Sequence, residues 1–318
     1  MQIHEGSSAR SLVVRTFART LIKPTFSYFP SSGPLAYGLN VLELGARVIP
    51  RDRRVSVEPV IGEGWVAELV QSRAGADENG AIVYFHGGGF LFCGVATHRR
   101  IVEQLALRTG LPVLSVAYRQ STKGLVETSI ADCIAATDWL IERGIDPERI
   151  VVAGDSAGGH LSFQVAIEAT QRGVPLAGVV GLSPWLDFDN TVRRTHPNAR
   201  RDHYIPSARL GRIARQVTGR SILEPGLSPV NRDLRNMPPS LIVCAADEVL
   251  RHDAELMTER LEAVGAPVDL HIWSGQIHAF PVMGALTPES SACLDLISGF
   301  VQDQLGISHL RSVRDIAV

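Results

Sequence analysis

The sequence predicts an α/β fold, a mostly parallel sheet flanked by helices, for its 318 residues. Three observations predict it. Runs rich in Val and Ile alternate with helical stretches down most of the chain, the pattern of parallel strands joined by helix crossovers. The later runs are continuously apolar, as strands covered on both faces must be. A content of 45% hydrophobic and 20% charged residues is enough to fill a large core.

The strand candidates are SVEPVI (56–61), WVAELV (65–70), AIVYF (81–85), PVLSVAY (112–118), RIVVAG (149–154), GVVGLS (178–183), SLIVCA (240–245) and VDLHIW (268–273). β-branched and aromatic residues bounded by Gly or Pro support each. The first two alternate apolar with polar, so an antiparallel edge is expected of them. Helices are expected over 97–109, 126–143, from Ser156 to near Gly173, over 252–264 and over 288–305.

Two regions break the alternation. Residues 1–48 precede the sheet, and 185–236 interrupt it after GVVGLS. Neither cuts a strand, so the two are expected to meet as a helical cap over one end of the sheet. The expected organisation is N-terminal cap helices (1–48) and a main domain (49–318) with 185–236 as a cap insertion. Within the first region, SLVVRTFARTLIK (11–23) places Val13, Val14, Phe17, Ala18 and Leu21 on one helical face. Arg10, Arg15, Arg19 and Lys23 lie elsewhere. Packing on its own domain is the expectation, with a membrane-surface helix or a targeting peptide as the alternatives.

Several classes are excluded. A net charge of −2 argues against a nucleic-acid partner. Cys93, Cys133, Cys244 and Cys293 are scattered without a CxxC pair, and no HExxH occurs, so no metal or cofactor is expected. No window is long and apolar enough for a membrane span, and the N-terminus lacks the apolar core of a secretory signal. A cytoplasmic location is therefore expected.

The chemistry concentrates at two glycine-rich strand ends. GDSAGG (154–159) lies between strand RIVVAG and a helix. G-x-S-x-G in that setting is the nucleophile elbow of α/β-hydrolases. A tight turn strains the serine backbone, so Gly154 and Gly158 must be small, and the following helix points its positive end at developing negative charge. HGGGF (86–90) follows strand AIVYF. Its bare backbone suits an oxyanion, with the N–H groups of Gly88, Gly89 and Ala157 as donors. A phosphate loop is disfavoured because no GK[ST] follows.

A serine nucleophile needs an imidazole base and a carboxylate to orient it. His278, in the loop after the last strand, fits the chain order Ser, acid, His. The acid should follow strand SLIVCA. Asp247 is the first carboxylate there and is preferred; Glu248 beside it is expected to point elsewhere, and Asp253 to begin the next helix. GDSAGG also has the look of a chymotrypsin-type serine, but that chemistry needs its His and Asp before the serine and an all-β fold. Phe90, Leu91, Trp185, Phe188 and Phe280 are the candidates for lining a substrate pocket, the hydrophobic core being the other place they fit.

Taken together, HGGGF (86–90), AYR (117–119), GDSAGGHL (154–161), LSPWLD (182–187), DEVLRHD (247–253) and IHAF (277–280) resemble the hormone-sensitive-lipase family of α/β-hydrolases. The resemblance runs from about Val55 to the C-terminus. It implies an eight-stranded sheet, a helical cap, hydrolysis of carboxylic esters and the triad Ser156, Asp247, His278, with His86 shaping the oxyanion loop. Two departures stand out. QSTKGLVETS (120–129) replaces the family's proline-rich turn, and Asp247 is followed by Glu248-Val249 where Pro-Leu is usual.

The expected activity is hydrolysis of short- to medium-chain carboxylic esters through an acyl-enzyme. The partner implied is a small-molecule ester; no nucleic acid and no integral membrane segment are implied, and a homodimer is compatible with the sequence. Two other classes use the same framework: a binding protein that keeps the pocket but loses the triad, and an amide hydrolase. The first is opposed by the presence of all three residue types.

Overall fold

The computed structural model describes residues 1–28, 40–77, 80–121 and 123–307. Parts of three expected segments lie outside them: 29–39 of the first region, Thr122 of the 120–129 loop, and 308–318 of the main domain. The nine strands are β1 (Gln2–His4), β2 (Val55–Ile61), β3 (Val66–Ser72), β4 (Ala81–Phe85), β5 (Val113–Ala117), β6 (Ile150–Asp155), β7 (Gly178–Leu182), β8 (Ser240–Ala245) and β9 (Val268–Trp273). They form one sheet in the order β1-β9-β8-β7-β6-β4-β5-β3-β2. Pairing is parallel except at β2–β3 and β3–β5.

Every run expected to be a strand is one, and the first two form the antiparallel edge. The sheet nevertheless has nine strands where the resemblance implied eight. The extra one, β1, pairs in parallel with β9, Ile3 opposite Ile272. Three residues are too few to show a period of two, and β1 lies in the region expected to supply only cap helices.

The helices are α1 (Ala9–Phe17), α2 (Lys23–Tyr28), α3 (Asn40–Ala46), α4 (Arg99–Thr109), α5 (Val126–Glu142), α6 (Ala157–Gln171), α7 (Thr191–Thr195), α8 (Asn198–Arg201), α9 (Ser207–Thr218), α10 (Arg251–Ala263) and α11 (Pro288–Leu305). A π-helical turn over Ala18–Ile22 joins α1 to α2.

The central strands of the sheet are buried on both faces. In β4, Ala81, Val83 and Phe85 enter one core layer with α5, α6 and α10, while Ile82 and Tyr84 enter the other with α4 and α11. β6 divides the same way, Ile150 and Val152 against Val151 and Ala153. Alternate side chains leave opposite faces of a strand, so a strand covered on both sides must be apolar throughout.

The N-terminal helix packs on its own domain by a narrower seam than its apolar face suggested. Ser11 and Ala18 are buried, whereas Val13, Phe17 and Leu21 are more than half exposed. Residues of the N-terminal helices touch the segment after β7. Arg209 of α9 donates to the Ser27 carbonyl at 2.9 Å, and the Phe26 ring lies 5.6 Å from that of Tyr204.

The strand order places the site. β5 follows β4 in the chain but lies on one side of it, and β6 returns to the other, Phe85 opposite Gly154. The loops that leave β4 and β6 therefore emerge side by side at a switch point of the sheet, where open α/β folds bind ligands.

Candidate active site

Ser156 sits between β6 and α6 with φ 52° and ψ −115°, a conformation L-residues rarely adopt. The residues two positions before and after it must be glycine. A Cβ on Gly158 would lie 1.8 Å from the Phe85 carbonyl oxygen, and one on Gly154 would lie 2.5 Å from Gly158. The strained turn is clamped on both sides by β7 and its loop. The Ser156 N–H donates to the Leu182 carbonyl at 2.9 Å, and the Trp185 N–H donates to the Ser156 carbonyl at 3.0 Å.

The glycine loop is held against this turn by Asp155, which is buried. Its carboxylate accepts from the Tyr84 hydroxyl at 2.8 Å, from the Gly87 N–H at 3.0 Å and from His98 Nε2 at 3.2 Å. Gly87 has to be bare, because a Cβ there would lie 2.2 Å from Asp155 Oδ2. Burial favours a neutral Asp155, but His98 and the Tyr84 hydroxyl outweigh it and hold the carboxyl below its ordinary value. His98 moves the opposite way: burial opposes its charge, Asp155 favours it, and the net shift is upward.

Gly88 has φ 115° and would place a Cβ 2.0 Å from the Phe92 carbonyl oxygen; Gly89 has φ 60° and open space around it. The N–H groups of Gly88 and Gly89 find no acceptor among the described residues. Ala157 opens α6, so its amide has no intrahelical partner either. His86 is buried, stacks on Tyr118 at 4.4 Å and receives the Tyr118 hydroxyl on its carbonyl at 2.7 Å. Burial, with His98 nearby, lowers its pKa to about 4, so it is neutral at physiological pH.

The carboxylate that meets His278 is Glu248. Its Oε2 accepts from His278 Nδ1 at 2.6 Å, and its Oε1 accepts from the Ala245 N–H at the end of β8, at 2.8 Å. This corrects the expectation for Asp247. That residue is half-buried and faces a separate cleft with Arg19, Lys23, Arg200, Arg201 and His203. Adjacent residues in the turn after β8 point opposite ways, and the longer glutamate arm reaches the imidazole from one position later. Asp253 is not against His278 either. It is buried on α10, accepts from the Leu186 and Asp187 amides at 2.8 and 2.9 Å, and pairs with Arg193 at 3.3 Å. Burial pushes its carboxyl up to about 7.

His278 is fixed from its other side as well, since the Ala279 N–H donates to Ser183 Oγ at 2.9 Å. Burial lowers the imidazole's affinity for a proton. The hydrogen bond and charge of Glu248, helped by Asp202 and Asp155, more than offset this, and the net shift is upward.

Ser156, His278, Gly88 and Gly89 line one cavity of about 310 Å³. Its walls are apolar, with Phe26, Phe92, Ile205, Ile213, Val282 and Met283 among them. Of the expected pocket residues, Leu91 and Trp185 line it. Phe90, Phe188 and Phe280 do not and belong to the core. Phe90, at φ 61°, turns its ring among His160, Trp185 and Phe188, and Phe188 stacks on His160 at 4.6 Å. Phe280 packs on Trp273 in the opposite layer. Sequence reasoning missed Phe26 and Tyr204, because segments outside the alternating pattern bring them in. It also missed Glu248, for which a signal existed: taken one residue later, Glu248-Val249-Leu250 keeps the leucine of the family's acid-Pro-Leu pattern.

Fold and site together define an α/β-hydrolase, and residues 82–282 match the family model described as alpha/beta hydrolase fold. The chain is 32% identical to the carboxylesterase/phospholipase LipF of Mycobacterium tuberculosis, covering 97% of this chain and 85% of that protein. It is also 32% identical to the esterase LipU of the same organism, covering 88% and 97%. The solved structure of an esterase from the bacterial hormone-sensitive lipase family superposes with a TM-score of 0.85 at 29% identity, covering 95% of this chain and all of that one. The chain belongs to the hormone-sensitive-lipase family of α/β-hydrolase-fold esterases. It is a hydrolase of the carboxylesterase type.

Proposed function

We propose that the protein hydrolyses carboxylic esters of short to medium acyl chain through an acyl-enzyme on Ser156. The observation that carries this is the Glu248-bound imidazole of His278 in the same apolar cavity as a strained serine and two bare amides. With Nδ1–H committed to Glu248, Nε2 is the nitrogen left to take the serine proton. Ser156 Oγ attacks the ester carbonyl, and the oxyanion is received by the N–H groups of Gly88, Gly89 and Ala157. His278 then protonates the leaving alcohol, and water releases the acyl group by the same route.

The cavity volume supports the chain-length reading, since about 310 Å³ is at the small end of the roughly 300–1,000 Å³ of ligand pockets. A related esterase, 26% identical to this chain, has been solved after soaking with p-nitrophenyl butyrate, which makes that ester a reasonable first substrate. The test is a p-nitrophenyl ester panel together with a fluorophosphonate label. Turnover falling with acyl length, label on Ser156 and no turnover by Ser156→Ala support the proposal. Retained turnover in that variant sinks it.

A further inference from the structure

A second cleft lies on the far side of the acid turn. It is lined by Arg19 and Lys23 from the N-terminal helices, by Arg200, Arg201, Asp202 and His203 from the cap, and by Asp247. Some of the protein's arginines pair with acids, among them Arg51 with Glu68, Arg119 with Asp132, Arg172 with Asp138 and Arg232 with Glu168. Here the guanidinium groups of Arg19, Arg200 and Arg201 have no hydrogen-bond or ion-pair partner among the described residues. Lys23 donates to the Asp202 carbonyl, tying the two walls together.

The two carboxylates offset only part of the charge of the four cations. Asp202 turns its oxygens onto the Tyr204, Ile205 and Val249 amides. Asp247 forms no ion pair with any of the cations among the described residues. The Nδ1 atom of His203 is buried without a partner among the described residues. Four cations from two separate segments thus converge with surplus positive charge and vacant donors. Like charges held together in this way repel unless an anion lies between them. Planar guanidinium forks match the oxygens of a phosphate, which makes arginine the usual residue for that group.

We propose that this cleft is a binding site for a phosphate-bearing anion, either a free phosphate ester or the headgroup of an anionic phospholipid. The field it would feel is visible on His203, whose proton affinity is lowered by burial and then by Arg15, Arg19 and Lys23, against Asp247. The lipid source is worth an arm of the test because Val13, Phe17 and Leu21 of the adjoining helical segment are exposed.

Inorganic phosphate would be titrated calorimetrically into the full-length protein. Co-sedimentation would be measured with vesicles of phosphatidylcholine alone and with added phosphatidylglycerol. Arg19→Gln/Arg200→Gln should weaken phosphate binding by about tenfold or more, as expected for two lost charge-assisted contacts. Asp247→Asn, which removes an opposing charge, should tighten it. Both variants should hydrolyse p-nitrophenyl butyrate like the wild type, which separates this site from the catalytic one. Co-sedimentation that needs phosphatidylglycerol and is lost in the double variant, without binding of inorganic phosphate, assigns the site to lipid headgroups. Binding of neither probe by the wild type, or equal binding by wild type and double variant, overturns the proposal.

Discussion

Glu248 holds His278 by a 2.6 Å hydrogen bond across thirty residues of sequence, with its second oxygen pinned to the end of β8. Two anchored oxygens leave the carboxylate no rotational freedom, so the imidazole tautomer is fixed before any substrate arrives. Glu248→Gln keeps the shape but can present an N–H to Nδ1 and stabilise the wrong tautomer. It should lower kcat by on the order of 10⁴-fold, the loss that an amide causes at the equivalent position of a serine protease. Asp247→Asn should leave kcat for p-nitrophenyl butyrate within about twofold, as surface changes outside a site usually do. The reverse ranking would restore Asp247 as the acid.

The pH profile follows from the same pair. Protonated His278 cannot accept the serine proton, and its pKa is raised above the ordinary 6.5 by Glu248 against burial. Activity should therefore fall on acidification with a midpoint above 6.5, higher than a free imidazole would give. In Glu248→Gln the raising contribution is gone and burial remains, so the residual activity should persist to lower pH. The measurement is kcat/KM across the acid range for both proteins.

The glycine loop offers a paired test. Gly88→Ala combines a left-handed φ of 115° with a Cβ placed 2.0 Å from a backbone oxygen. Backbone cannot give way as a side-chain tip can, so the loop must move, and both kcat and melting temperature should drop. Gly89→Ala meets nothing within 4 Å and has φ 60°. It should cost only about 1–2 kcal/mol of left-handed strain. Equal losses in urea-unfolding experiments would show that the loop is not seated as described.

The buried pair of His98 and Asp155 ties stability to pH. Asp155 has a lowered pKa, so its contribution is present above the unfolded value near 3.8 and is lost as pH falls through the folded one. His98 has a raised pKa, so its contribution is full below about 6.5 and is lost as pH rises through the folded value. Unfolding free energy should thus peak in mildly acid solution and decline towards alkaline pH. Asp155→Asn should flatten that decline and cost roughly 3–5 kcal/mol at the peak, the usual penalty for breaking one side of a buried pair. Chemical denaturation at a series of pH values checks both.

What could be read from the sequence was what period and bare backbone encode. β4 and β6 through β8 are buried along their whole length and almost wholly apolar because both faces are covered, and that pattern survives without any knowledge of neighbours. Gly154, Gly158, Gly87 and Gly88 stand where a Cβ would strike backbone or a carboxylate, so chemistry and sterics point to the same positions. Glu248 was hidden because two adjacent acids in a turn differ only in which way the turn faces them. Phe90, Phe188 and Phe280 were ambiguous because an aromatic near a site suits a wall or the core equally, and only the φ of Phe90 and the stacking on His160 decide. Phe26 and Tyr204 carried no signal, since they reach the cavity through the meeting of two segments distant in sequence.

The short strand at the start of the chain has a practical consequence. His4 stacks on Trp273 at 4.0 Å and its ring bonds His271, while the Ser274 amide donates to the His4 carbonyl just four residues ahead of His278. Trimming the first handful of residues would bare a row of unpaired amides along β9, an invitation for another molecule to add its own strand. The loop carrying the base would lose its outer support in the same cut. Preparations clipped near residue 5 should be checked for aggregates before their turnover is compared.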